Sequence, residues 1–244
     1  MFNIFGKSKH FNNPVKVDIH SHLLPNIDDG VNDFDESIMI LKKFHDMGYK
    51  KIVTTPHIMK EYYDNNKDTI TQQYENLQKR LQTEDFHIEV EFAAEYYIDE
   101  FFIEKIEKKE ELLTFGDEFI LVETSFYNAP VFLKDVLFQL MTKGYTPVFA
   151  HPERYIYLLQ NTRLLKELKD MQVLLQVNMG SLSGHYGKPV KKLAEKIIES
   201  NWIDFIGSDC HNLNHIEIFE KTVHSKLYQS LPFDRLRNNI LIRK

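Results

Sequence analysis

Residues 15–30 read VKVDIHSHLLPNIDDG. The short run 15–19 alternates valine and isoleucine with polar residues, as a strand does. It ends at His20 and His22, and Asp28-Asp29-Gly30 follows. Outward from this stretch the same pattern recurs. Strand-like runs are expected at 51–54, 88–93, 119–122, 146–150, 173–177 and 205–207, separated by helical patterns at 35–47, 67–81, 131–142, 162–170, 190–200 and 216–229. In the first helical stretch Ile38, Leu41 and Met47 fall on one apolar stripe. Gly48 and Gly144 each sit just past a helix, where a left-handed residue ends the spiral before the next strand. The charged stretch 96–114 is expected to be a helix and a short turn on the outside of the domain. Alternating strands and helices call for a parallel sheet with right-handed crossovers. Seven strands leave two arrangements: a closed or distorted barrel, or an open doubly wound sheet.

Composition narrows the class. The chain has 244 residues, 43% hydrophobic and 27% charged, as in ordinary globular proteins, with no repeat or low-complexity tract. A net charge of −6 argues against a nucleic-acid partner. One cysteine, Cys210, excludes an internal disulfide and fits a reducing, cytoplasmic setting. No apolar run is long enough for a membrane span. Residues 1–14 are expected to be an extension outside the single domain at 15–244. Phe2, Ile4 and Phe5 with Lys7 and Lys9 would support at most a weak contact with a membrane surface.

The chemistry lies where the strands end. After the first come His20, His22 and Asp29; after the second, His57; then Glu95, Glu123, His151, Asn178, and finally Asp209 and His211. In barrels of parallel strands these C-terminal ends share one mouth. Residues two apart on a strand point the same way, so His20 and His22 would grip one ion together, with Asp18 in phase below to orient a ligand. Imidazoles and carboxylates suit manganese, iron or zinc. Five histidines and four acids exceed one ion's needs, so two or three ions are expected. Such ions would activate a water as hydroxide and neutralise a phosphoryl group. Each element has an ordinary reading alone: a surface His-x-His, a turn at Asp28-Asp29-Gly30, a salt-bridged glutamate. Their repetition at successive strand ends carries the argument. Arg154, three residues after His151, is expected to bind phosphate oxygens in bidentate fashion, against the plainer reading of a salt bridge with Glu153. Of the other histidines, only His185 and His215 occupy loops within reach of the mouth. Cys210 lacks the phosphate loop and arginine of a cysteine phosphatase, and Asp33 reads as a helix cap.

The segments DIHSHLLPNIDDG, TTPH, AAEYY, VETS, AHPERY, QVN and SDCHN, in this order, resemble the polymerase-and-histidinol-phosphatase (PHP) family. More narrowly they resemble the CpsB/CapC type of bacterial tyrosine phosphatase from capsule and exopolysaccharide gene clusters. That resemblance implies a distorted (β/α)7 TIM-like barrel and a cluster of up to three metals, typically manganese-dependent; iron, zinc and magnesium stand as alternatives. It implies one ion among His20, His22, Glu95 and Asp209. A second would lie among Glu95, Glu123 and His151, and a third among Asp29, His57 and His211. Arg154 would hold the phosphate. The implied activity is dephosphorylation of tyrosines on a bacterial tyrosine autokinase. Some members carry a further arginine shortly after SDxHN; here that stretch holds His215, which would partly replace it. Three alternatives stand beside this reading: a small-molecule phosphoesterase for histidinol phosphate or a sugar phosphate, a non-catalytic binding protein for the kinase tail, and a metal-dependent deacylase.

Overall fold

Residues 13–242 are described by the computed structural model. The extension expected at 1–14, with its membrane-contact residues Phe2, Ile4 and Phe5, lies almost wholly outside the described residues.

Every strand-like run becomes a parallel strand. β1 (Val17–Asp18) pairs with β2 (Lys51–Thr54), and β2 with β4 (Glu89–Phe92). β3 (His57–Ile58) pairs with β5 (Glu95–Tyr97). From β5 the sheet continues through β6 (Phe119–Glu123), β7 (Thr146–Ala150) and β8 (Leu174–Asn178) to β9 (Phe205–Gly207). β2 and β3 are halves of one stave broken at Thr55-Pro56; β4 and β5 are halves of another, broken at Ala93-Ala94. Hydrogen bonds from Ala93 N to Thr54 O (2.9 Å) and from Glu95 N to Pro56 O (3.1 Å) carry the pairing across both breaks. Seven staves result.

The first and last staves also meet. Ser21 bridges Cys210 in parallel, with His22 N donating to Cys210 O at 2.8 Å and Asp209 N to His20 O at 2.7 Å. The sheet is therefore a closed, distorted (β/α)7 barrel rather than an open doubly wound sheet. Below this point the seam is held by side chains. Asp18 accepts from the Ser208 backbone N–H (2.7 Å) and hydroxyl (2.6 Å). Buried Asn238 donates to Val17 O (2.9 Å) and Ile206 O (2.7 Å) and accepts from Ile206 N (3.1 Å), supplying rungs that the short strands lack.

Alternation along the strands divides the core. Val17, Ile19, Val53, Leu121, Val148 and Ala150 form a cluster within the bore, closed by Phe115, Phe119, Phe205 and Leu241 at the lower end. Their neighbours Ile52, Ile120, Val122, Phe149 and Leu175 join the larger cluster beneath the helices, with Leu41, Leu137, Leu168 and Ile197. Both faces of β1, β2, β6, β8 and β9 are buried, as is usual in parallel sheets, while β4 keeps Glu89, Glu91 and Phe92 partly exposed.

Polar caps start several helices. Asp33 accepts from Glu36 N at the start of Phe34–Asp46, and Asn66 forms a reciprocal capping box on Lys67–Leu81. Gly48 and Gly144 adopt φ of 88° and 89° just past their helices, as their positions imply. Two expectations need correction. The helix expected at 216–229 is two, Leu213–Thr222 and Lys226–Gln229, because the Ser225 side chain caps a fresh start by accepting from Tyr228 N. Residues 96–97 belong to β5, and the outer helix is Glu100–Glu107, capped by Asp99. No helix among the described residues is long and apolar enough to cross a membrane.

Candidate metal centre

His20 and His22 leave β1 on the same side, and the barrel brings the other strand ends around them. His20 Nε2 lies 3.2 Å from His22 Nε2, 3.1 Å from Glu95 Oε2 and 3.4 Å from Asp209 Oδ1. His22 Nε2 is 3.5 Å from each of those oxygens. Four donor atoms thus surround one point. The other Glu95 oxygen meets His151 Nε2 at 3.1 Å, and His151 Nε2 lies 3.9 Å from Glu123. Asp29 Oδ1 sits 3.4 Å from His57 Nε2 and 3.4 Å from His211 Nε2. All nine expected ligand residues share the mouth. His57 is shared more widely than expected: its Nδ1 also approaches Glu123 Oε1 (2.9 Å) and Glu95 Oε2 (3.2 Å).

These contacts fit cations better than mutual hydrogen bonding. His57 Nδ1 and His151 Nδ1 are buried without hydrogen-bond partners, although carboxylate oxygens lie close to the first. Ring nitrogens and oxygens aimed at common points are what shared ions need, and four groups of donors lie close enough to hold one. The backbone is bent for the purpose: His151 and Asp209 sit at φ of 32° and 55°. A left-handed conformation costs a non-glycine residue on the order of 1 kcal/mol.

Arg154 stands at the edge of the cluster. Its Nη1 donates to Asp209 Oδ2 at 2.6 Å, and its guanidinium carbon lies 4.8 Å from the Phe126 ring centre and 4.4 Å from that of Tyr186. The expected alternative partner, Glu153, is fully buried elsewhere, accepting from Asn178 N and the Ser181 hydroxyl. The centre opens into a cleft of about 720 Å³, walled by Tyr62, Tyr63, Tyr97, Phe126, Tyr127 and Tyr186 among others. His215 lines it too, whereas exposed His185 does not.

The family model described as capsular polysaccharide synthesis, CpsB/CapC, matches residues 16–221. The chain belongs to the CpsB/CapC family. Among its relatives, tyrosine-protein phosphatase YwqE of Bacillus subtilis (strain 168) is 35% identical over 93% of this chain and 94% of its own. The putative tyrosine-protein phosphatase CapC of Staphylococcus aureus is 32% identical over 82% of this chain and 78% of its own. A solved structure, from work on YwqE of Bacillus subtilis and CpsB of Streptococcus pneumoniae as metal-dependent tyrosine phosphatases, superposes with a TM-score of 0.78. It is 32% identical and covers 91% of this chain and 94% of that one.

Electrostatics in this CpsB/CapC centre follow from burial against opposite charge. Burial alone would raise the carboxyls of Glu95 and Asp209, but His20 and the neighbouring imidazoles hold both well below the usual range. Burial likewise opposes charge on His22, yet Asp28 and the other carboxylates hold its pKa well above normal. His215 goes the other way, lowered by burial and by His211. Burial pushes Asp18 up to about 7 despite its Ser208 bonds.

Several positioning residues escaped the sequence reading. His20 Nδ1 meets Gln176 Oε1 at 2.9 Å, so Gln176, not Asp18, orients this ring. Gly207 makes room: a Cβ there would lie 2.7 Å from Gln176 Nε2 and 2.9 Å from His20 Cβ. Asp28 meets His22 Nδ1 at 2.8 Å and also accepts from His57 N (3.1 Å). Asn178 donates to Asp209 Oδ2 at 2.7 Å rather than facing the cluster as a ligand. Only the Asp-Asp pair carried a usable signal, since two adjacent acids in a turn can divide between ligand and orienter.

Proposed function

We propose that this chain is a metal-dependent protein-tyrosine phosphatase working in the cytoplasm, with residues 15–244 acting as one domain. Its proposed substrate is a phosphotyrosine on a bacterial tyrosine kinase that controls capsule or exopolysaccharide synthesis. The observation that carries this reading is Asp209, which faces His20 and His22 at 3.4 and 3.5 Å while accepting from Arg154 at 2.6 Å. This ion pair supports the reading by keeping a guanidinium at the edge of the candidate ligand cluster, where a phosphate would bind.

His20, His22, Glu95 and Asp209 would hold one ion, Glu95, Glu123 and His151 a second, and Asp29, His57 and His211 a third. Nitrogen and oxygen donors without thiolate suit manganese, the proposed ion, and also iron or zinc. When bound, such ions acidify a water and neutralise phosphoryl charge. The chain does the rest. Arg154, flanked by the Phe126 and Tyr186 rings, would present the remainder of its fork to the phosphoryl oxygens. The tyrosine-lined walls receive the phenyl ring, and His215 contributes a neutral contact to the same pocket. A phenol leaves with a pKa of about 10, so the leaving oxygen needs less protonation than an alkoxide.

The reading is tested by measuring metal content alongside turnover of a phosphotyrosyl peptide and of histidinol phosphate, with manganese added. Peptide turnover by a protein carrying two or three ions is expected. Turnover of histidinol phosphate alone would overturn the substrate, and failure to hydrolyse even p-nitrophenyl phosphate would overturn the enzyme.

A further inference from the structure

The mouth does not end at Arg154. A second cleft of about 400 Å³ continues beyond it, floored by Ile156, Leu159, Pro189 and Val190. The two clefts share Phe126, Tyr127, Arg154 and Tyr186. The guanidinium is thus a partition with the candidate metal cluster on one side and an apolar trough on the other. Val190 is buried and Leu159 packs on the core, but the rim of the trough is left open: Ile156 is 46% exposed and Tyr127 71%. The trough is nonetheless anchored, because Ile156 N donates to Phe126 O at 2.8 Å.

This rim offers a path for a peptide whose phosphotyrosine enters the mouth. An extended chain advances about 3.3 Å per residue, and alternate side chains share a face, so the second residue along lies about 6–7 Å from the phosphotyrosine on the same side. That step clears one guanidinium. We propose that the trough is a specificity subsite for an apolar side chain two residues from the phosphotyrosine of an extended peptide. The assignment rests on the phosphotyrosine reading above and adds a sequence preference to it. Arg154 then serves both sites, its fork on the phosphate and its aromatic neighbours on the flanking residue.

The test uses the metal-loaded protein and phosphotyrosyl peptides carrying Leu, Ala or Asp two residues to either side. On one side, kcat/KM for Leu should exceed that for Asp by about tenfold, the discrimination expected of a modest apolar pocket. Ile156→Asp should abolish this preference by raising KM, with p-nitrophenyl phosphate turnover unchanged; Ile156→Leu should keep it. Equal turnover of all peptides by the wild-type protein would overturn the subsite and leave the phosphatase reading intact. A preference that survives Ile156→Asp would overturn its location. No turnover of any phosphotyrosyl peptide would overturn both readings.

Discussion

At the lower end of the barrel Phe115, Phe119, Phe205 and Leu241 fill the bore, and Asn238 satisfies the backbone groups at the seam. At the upper end, on the same staves, five imidazoles and four carboxylates face one another, two buried ring nitrogens lack hydrogen-bond partners, and two candidate ligand residues hold left-handed backbone. The lower end is an apolar plug whose seam groups are paired and whose buried cation, Lys51, meets Glu91 at 2.7 Å. The upper end breaks several rules of a stable interior within one side chain's length. Stability and chemistry are thereby assigned to opposite rims, so damage to each should register in a different measurement.

Glu95 offers the sharpest way to break that contrast, because both its oxygens are committed to histidines at the centre. Glu95→Gln is expected to lower kcat/KM about 10³-fold, the equivalent of about 4 kcal/mol of lost charge stabilisation. Bound metal should fall with it in elemental analysis. Full activity and full metal content would remove Glu95 from the centre. Leu241→Ala probes the other rim: it should cost about 2–4 kcal/mol in urea denaturation through an unfilled cavity, with kcat per folded molecule unchanged. A lost kcat well below the unfolding transition would mean that the rims are coupled. Asp28→Asn is the subtlest probe, since it spares every proposed ligand and weakens the hold on the His22 ring and on the His57 backbone. Metal affinity measured by competition with a chelator should fall about 10–100-fold, the usual effect of losing an orienting carboxylate; an unchanged affinity would make Asp28 a turn residue alone.

The sequence discloses the upper rim better than the lower one, for a physical reason. His20, His57, Glu95 and Asp209 are reactive residue types placed just where apolar runs stop, and both signals are local. Asn238 looks like any surface asparagine; only closure of the barrel, more than two hundred residues after Val17, makes it a rung of the seam. Gln176 is equally silent, because its partner lies 156 positions away and the space between them exists only through Gly207. The break at 223–225 was hidden because the apolar stripe carries on past it, while the decisive group is one serine hydroxyl. The interruptions in β2–β3 and β4–β5 were hidden because pairing resumes beyond each in the same register.

The seam between the first and last staves has a consequence for how the protein is made. His20 and His22 are synthesised early in the chain, whereas Asp209 and His211, which complete their surroundings, follow nearly 190 residues later. A chain lacking the seventh stave would lack Asp209, His211 and the bridge from Ser21 to Cys210, and with them both the closed mouth and the complete donor set.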